Sequence, residues 1–225
     1  MKSAKIFLVG ENEEVLHEMV ETPYEREDIL QLLLEKYTDL LPGDQINPDD
    51  PRRWLLVKRE LGVPGEMQGT NVWSLDHLFL DQDGIPTFVE CKRASDTRSR
   101  REVVAQMLDY AANGVAYWSM DTLRQSAAES ALKNKSSLDE EIRRLTLAEN
   151  PEEVEDFWSK VEANLRKGVI RLLFVADETT PQLRRLVEFL NEKMADVEVL
   201  IVEVKQYLGK ANHKVIVPRV IGLTE

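Results

Sequence analysis

Two strand-length segments, 73–81 and 85–93, leave neither face free for water, yet both carry ionisable groups. Leu75, Leu78, Phe79, Leu80, Phe88 and Val89 mark them as central strands of a sheet, because a half-exposed strand alternates apolar with polar residues. Charges held in such a setting are costly unless they are paired, and those retained usually serve a site. The charges in question are Asp76, Glu90 and Lys92. Successive side chains of an extended chain point to opposite faces, so Glu90 and Lys92 share one face and Cys91 turns to the other.

The intervening turn sets whether Asp76 joins them. A two-residue loop of Asp83 and Gly84 places Asp76 opposite Cys91, with its carboxylate turned away from Glu90. A three-residue loop, Gln82-Asp83-Gly84, places Asp81 opposite Ile85 and Asp76 opposite Glu90, and both acids then share a face. Gly84 stands where such a loop wants a left-handed residue, so the three-residue form is expected. Two carboxylates with one ammonium suit phosphodiester hydrolysis. Oxygen ligands hold a hard divalent cation, and a positive group serves the attacking water and the charge developing at phosphorus.

The chain of 225 residues is long enough to bury a full core. Its composition is that of ordinary globular material, with 43% hydrophobic and 31% charged residues and no apolar run of membrane-spanning length. The start, MKSAKIFLVGENEE, lacks the pattern of a signal peptide, and the lone Cys91 rules out an internal disulfide or a cysteine zinc cluster. A cytoplasmic protein with no membrane association is the expectation. The formal net charge of −12 runs against nucleic-acid binding through a general basic surface. A local patch can still act, since screening confines charge effects to about 8–10 Å. Two basic clusters are present: Arg52-Arg53 with Lys58-Arg59, and Lys92-Arg93 with Arg98, Arg100 and Arg101.

Residues 4–9 and 14–20 read as a hairpin. Ile29, Leu30, Leu33, Leu34, Tyr37 and Leu41 recur at helical spacing over 24–41, and Pro42-Gly43 ends that run. A strand over 54–60 leads into a Gly- and Pro-rich loop. After the two central strands, Ser99-Arg100-Arg101-Glu102 matches a capping box, opening a helix to about Ala112 with Asn113-Gly114 as its stop. Residues 121–167 are acidic and helical, with a break at Asn150-Pro151. Val169 to Ala176 is a strand covered on both faces, Thr180-Pro181 starts a helix running to Met194, and strands follow at 197–204 and 213–218.

Helix, three strands, helix, strand, with Asp76 and Glu90-Cys91-Lys92 on adjacent strands, resembles the core of the PD-(D/E)XK nuclease superfamily. Gln106-Met107-Leu108-Asp109-Tyr110 matches the Q-x-x-x-Y element of the RecB-like branch, whose two polar residues lie one turn apart on one helix face. Glu27 stands where related families often carry a further acid. The motifs span roughly 24–114, and FVADETTPQLRRLVEFLN and VEVLIVEVKQY look like the later half of uncharacterised bacterial members. One departure is Leu75, where many members have proline.

The resemblance implies an α/β, restriction-endonuclease-like αβββαβ core with a central mixed sheet between helices. In this chain it carries an N-terminal hairpin (1–22), the motif-bearing core (23–118), a helical insertion (119–167) and a C-terminal strand-helix-strand extension (168–225). It further implies a Mg²⁺-dependent deoxyribonuclease, with Mn²⁺ as substitute, acting in repair, restriction or defence. Asp76, Glu90 and the Cys91 carbonyl would ligate the ion and Glu27 would complete the outer coordination. Lys92 would polarise the water, while Gln106 and Tyr110 orient the site or a phosphate. DNA is the expected partner, with a protein partner or a second copy as an addition.

Arg98, Arg100 and Arg101 crowd a helix N-terminus, the end whose dipole disfavours cations. They either receive backbone phosphates or are neutralised by Asp96, Glu102 and neighbouring acids. Trp54, Trp73 and His77 read as packing residues. Two rival functions share the same motifs. One is an assembly module that keeps the fold without cutting and docks through 121–167; the other is an acidic interaction protein whose motifs are coincidental.

Overall fold

The computed structural model describes residues 5–9, 15–67, 69–95, 100–210 and 213–222. In chain order the elements are β1 (Ile6–Val9), β2 (Leu16–Glu21), α1 (Glu27–Lys36), a 3-10 turn (Thr38–Leu40), α2 (Gly43–Ile46), β3 (Leu55–Pro64), β4 (Asn71–Leu80) and β5 (Pro86–Lys92). There follow α3 (Arg100–Tyr117), α4 (Met120–Lys133), α5 (Leu138–Thr146), α6 (Pro151–Lys167), β6 (Ile170–Ala176), α7 (Pro181–Lys193), β7 (Val197–Leu208) and β8 (Lys214–Ile221). The strands form one mixed sheet in the order β1-β2-β7-β6-β5-β4-β3, with β8 also on β7. β6 pairs parallel with β5 and β7, and every other pair is antiparallel.

Burial follows from what covers each face. β6 is buried along its whole length because helices lie on both sides of it, and its one charge, Arg171, is paired with the Asp81 carboxylate at 2.9 Å. One face packs Tyr24, Leu30, Leu34 and Leu41, around α1, against Phe79, Val89, Cys91 and Val175. On the other face Met107, Tyr110, Phe157, Trp158 and Val187, from α3, α6 and α7, lie over Leu78, Phe88 and Leu172. The acidic segment is therefore part of the core's roof. Val154, Phe157, Trp158 and Val161 are buried, whereas Glu152, Glu153, Glu155 and Asp156 are exposed.

The β4–β5 turn has the three-residue form. Asp81 and Ile85 pair through the Asp81 N–H and Ile85 carbonyl at 3.3 Å, and Gly84 adopts φ +72°. The Asp81 carboxylate ties the loop by accepting the Asp83 and Ile85 N–H groups at 3.0 and 2.9 Å. Pairs from Leu80–Pro86 to His77–Val89 continue that register, which projects Asp76 towards Glu90.

Four expectations need correction. Asn113-Gly114 does not end α3, which runs to Tyr117. Gly114 is there for space, because a Cβ would stand 2.7 Å from the Trp118 ring, and that ring stacks on Phe88. The first helix is shorter than 24–41: Tyr24 leaves it to enter the core, and the Leu41 carbonyl accepts the Trp54 indole N–H at 2.8 Å. β3 continues through Gly62 to Pro64, a residue tolerated because β3 is an edge strand. β4 is consequently next to the edge rather than in the middle of the sheet.

Candidate metal centre

Beyond His77–Val89, β4 and β5 part. β4 runs on with β3 alone through Leu75–Leu61 and Trp73–Val63, while β5 runs on with β6. In an antiparallel ladder alternate residues point their N–H groups at the partner, so the Cys91 N–H would be the next donor from β5 to β4. The Asp76 carboxylate takes that bond instead, at 2.7 Å. The fork between the strands thus holds an acid against the backbone next to Glu90.

The Lys92 ammonium lies in the same fork. Its Nζ is 3.0 Å from Glu90 Oε1 and 3.2 Å from Glu27 Oε1, and it donates to the Cys91 carbonyl at 2.8 Å. Glu27 arrives from the first turn of α1, where the helix dipole favours an acid. Glu90 is 2% exposed, and its second oxygen, Oε2, is buried without a hydrogen-bond partner. Burial, with the Asp76 charge added, raises the Glu90 pKa to about 7 even against the attraction of Lys92. Asp76 moves up as well, chiefly by burial, with Lys92, the Cys91 N–H and Gln31 pulling it back. Burial works against the Lys92 charge, but Glu90 and Asp76 outweigh it and hold the ammonium above its ordinary value.

On α3, Gln106 donates to the Tyr110 hydroxyl. The Tyr110 pKa is raised by burial first, and both Glu90 and Asp76 add to the rise, which places the phenol within electrostatic reach of the two acids. Asp76, Glu90, Cys91, Lys92 and Glu27 gather in one region, while Gln106 and Tyr110 bond each other on α3, where Tyr110 packs in the same core as Phe88 of β5. Arg98 lies outside the described residues, as does the Ser99 that would cap α3; Arg100 and Arg101 open α3. The cluster of Arg52, Arg53, Lys58 and Arg59 does not form a free basic face. These four pair with Asp50 and Asp83, with Asp50, with Glu129 and with Glu35 respectively.

The donor set is lean. Among the described residues no trio of His, Cys, Asp and Glu side chains is arranged to hold one metal ion. What the fork offers is two carboxylates and the Cys91 carbonyl, with Lys92 standing between Glu90 and Glu27. The charges nevertheless fit a cation: once Asp76, Glu90 and Glu27 are all ionised, they and the one ammonium leave two negative charges, which one divalent ion cancels. The unpartnered Glu90 Oε2 fits it too, since a buried carboxylate oxygen without a donor calls for one.

Two contributors escaped the sequence reading. Gln31, on α1 one turn beyond Glu27, draws the Asp76 pKa down. Glu60 interrupts β3 opposite Asp76 with φ +54°, and its charge pushes the Asp76 pKa up. The i, i+4 spacing from Glu27 would have pointed to Gln31, whereas nothing in the sequence marks the kink at Glu60.

Comparison with protein-family models, with curated proteins and with solved structures finds no match to this chain. Among the described residues no helix is long and apolar enough to cross a membrane.

Proposed function

We propose that the chain is a divalent-metal-dependent nuclease that hydrolyses phosphodiester bonds, with DNA as its substrate and Mg²⁺, or Mn²⁺ in its place, as its ion. The observation that carries this reading is the pairing of half-buried Asp76 with buried Glu90 at a strand fork, with Glu90 Oε2 unpartnered beside the Lys92 ammonium. The order α1-β3-β4-β5-α3-β6, with β5 and β6 parallel, supports a restriction-endonuclease-like core. Asp76, Glu90 and the Cys91 carbonyl would hold the ion. When bound, the ion supplies Lewis acidity to a phosphoryl oxygen and to the attacking water. Lys92 orients that water and meets the negative charge that grows on the phosphoryl group. The amide of Gln106 and the hydroxyl of Tyr110, fixed to one another, set the angle at which a phosphate sits against the carboxylates. Arg100 and Arg101, with the amides that open α3, would receive the nucleic-acid backbone.

A second reading is favoured by one feature: Lys92 already bonds Glu27, Glu90 and the Cys91 carbonyl, so the acids have a counter-charge without a metal. That arrangement suits a nucleic-acid-binding or assembly module that keeps the fold and no longer cuts. Digestion of plasmid, linear duplex and single-stranded DNA with Mg²⁺ or Mn²⁺ separates the two. The nuclease reading calls for cleavage that EDTA and Lys92→Ala abolish. Intact substrate under every condition, from protein that is folded and binds DNA, selects the second reading.

A further inference from the structure

The Asp76 carboxylate sits where β5 has already left β4, so no β5 main-chain pair beyond His77–Val89 fixes its segment. Helix α1 does so instead. Gln31, 8% exposed, turns its side chain into the sheet one turn after Glu27. Its amide oxygen accepts from Arg59 Nη2 at 3.3 Å, and the side chain helps to draw the Asp76 pKa down. Its main-chain carbonyl accepts from His77 Nε2 at 3.0 Å, and the His77 ring stacks on Phe79. Arg59 lies across the ladder from His77 and is itself held by Glu35 Oε2 at 3.4 Å, one further turn along the helix. A single residue of α1 thus ties β4 at His77, next to Asp76, and β3 at Arg59.

The chemistry of the amide gives this grip a direction. A guanidinium has donors only, so Arg59 can bond only the amide oxygen of Gln31, which leaves the NH₂ group for Asp76. A carboxylate that accepts the Cys91 N–H on one oxygen and meets the Gln31 NH₂ with the other would be restrained in rotation about its Cβ–Cγ bond. We propose that Gln31 is the positioning residue of this fork: it holds the Asp76 carboxylate facing Glu90, and Arg59 locks the Gln31 amide the right way round. The proposal rests on the metal-site reading, because facing carboxylates matter most when one ion must touch both. Supporting residues of this kind usually alter metal affinity more than fold.

The experiment is a Mn²⁺ titration of the full chain, read by the electron paramagnetic resonance signal of the free ion, beside a thermal melt of each variant. Gln31→Met keeps the length and bulk of the side chain and removes the amide's oxygen and NH₂ together; Arg59→Met removes only the lock. Leu30→Val, on the same helix and fully buried, controls for lost packing. Gln31→Met should bind Mn²⁺ about 10- to 100-fold more weakly, and Arg59→Met should fall between it and the wild type. Leu30→Val should melt lower yet bind Mn²⁺ as the wild type does. Wild-type affinity in both Gln31→Met and Arg59→Met, or an equal loss in Leu30→Val, overturns the positioning role while leaving the metal site standing. A wild-type chain that binds no Mn²⁺ overturns the metal-site reading and this role with it.

Discussion

The Asp76 carboxylate accepts the Cys91 main-chain N–H at 2.7 Å, standing in for the ladder bond that β4 would have offered. The substitution lets two adjacent strands separate without leaving a buried donor unsatisfied. It also brings an acid to the main-chain segment that presents Glu90 on one face and Lys92 on the same one. The fork, the acids and the ammonium are consequences of one local exchange of partners.

Glu90 should make the metal-free chain less stable as pH rises. Its folded pKa, about 7, lies above the ordinary 4.5, so between those values the folded state keeps a proton that the unfolded chain releases. The stabilisation is complete below 4.5 and gone above 7, worth about 3 kcal/mol by linkage. His77 opposes it: burial lowers its pKa to about 4 from 6.5, so its contribution is full above 6.5 and is lost as pH falls towards 4. Comparing Glu90→Gln with wild type in EDTA isolates the first effect. Urea melts should give the variant a growing advantage from pH 4.5 to pH 8, and a difference that does not vary with pH would refute this.

Lys92→Met should strip Glu90 of its counter-charge. A buried charge left alone typically costs about 3–5 kcal/mol. Here the penalty is smaller at low pH, where Glu90 takes up a proton, the more readily because Lys92 no longer draws its pKa down. The fall in Tm should therefore be larger at pH 8 than at pH 5. Cleavage should drop about 100- to 1,000-fold, the usual effect of losing one stabilising donor. Activity retained within tenfold would remove Lys92 from the chemistry.

Glu60→Gly should stabilise the chain. The φ of +54° costs a non-glycine residue about 1–2 kcal/mol, and glycine adopts it freely. Little packing is lost, because the Glu60 side chain is mostly exposed and its contact to Arg59 is long, at 3.5 Å. Equilibrium denaturation should show a gain of about 1 kcal/mol. A loss of stability would mean that the Glu60 side chain supports the kink it occupies.

Gly114→Ala should destabilise despite the better helix propensity of alanine, worth about 1 kcal/mol. The new methyl meets the Trp118 ring, which is wedged by its stack on Phe88 and by its N–H bond to the Gly62 carbonyl at 2.9 Å. Overpacking of this kind costs about 1–3 kcal/mol. Melting unchanged or raised in the variant would show that Trp118 yields without cost.

Much of this architecture is legible in the sequence because it rests on local chemistry. The two-residue alternation of side-chain direction and the Gly84 turn set the register that aligns Asp76 with Glu90 before any tertiary contact is known. Asn113-Gly114 misled because a turn-forming pair also suits a helix that must admit a tryptophan ring. The basic cluster at 52–59 misled because acids distant in sequence, Asp83 and Glu129 among them, neutralise it only in the fold. Glu60 was invisible for the same reason, since its role depends on where β3 lies against the fork, whereas Gln31 had a signal in its i, i+4 spacing from Glu27.

Diffraction from crystals soaked in Mn²⁺, recorded for its anomalous signal, tests the central claim most directly. One peak should lie about 2.0–2.3 Å from oxygens of both Asp76 and Glu90 and from the Cys91 carbonyl, with the Lys92 ammonium drawn off Glu90. A fork with no peak, and Lys92 still bonded to Glu90 at saturating Mn²⁺, would contradict it.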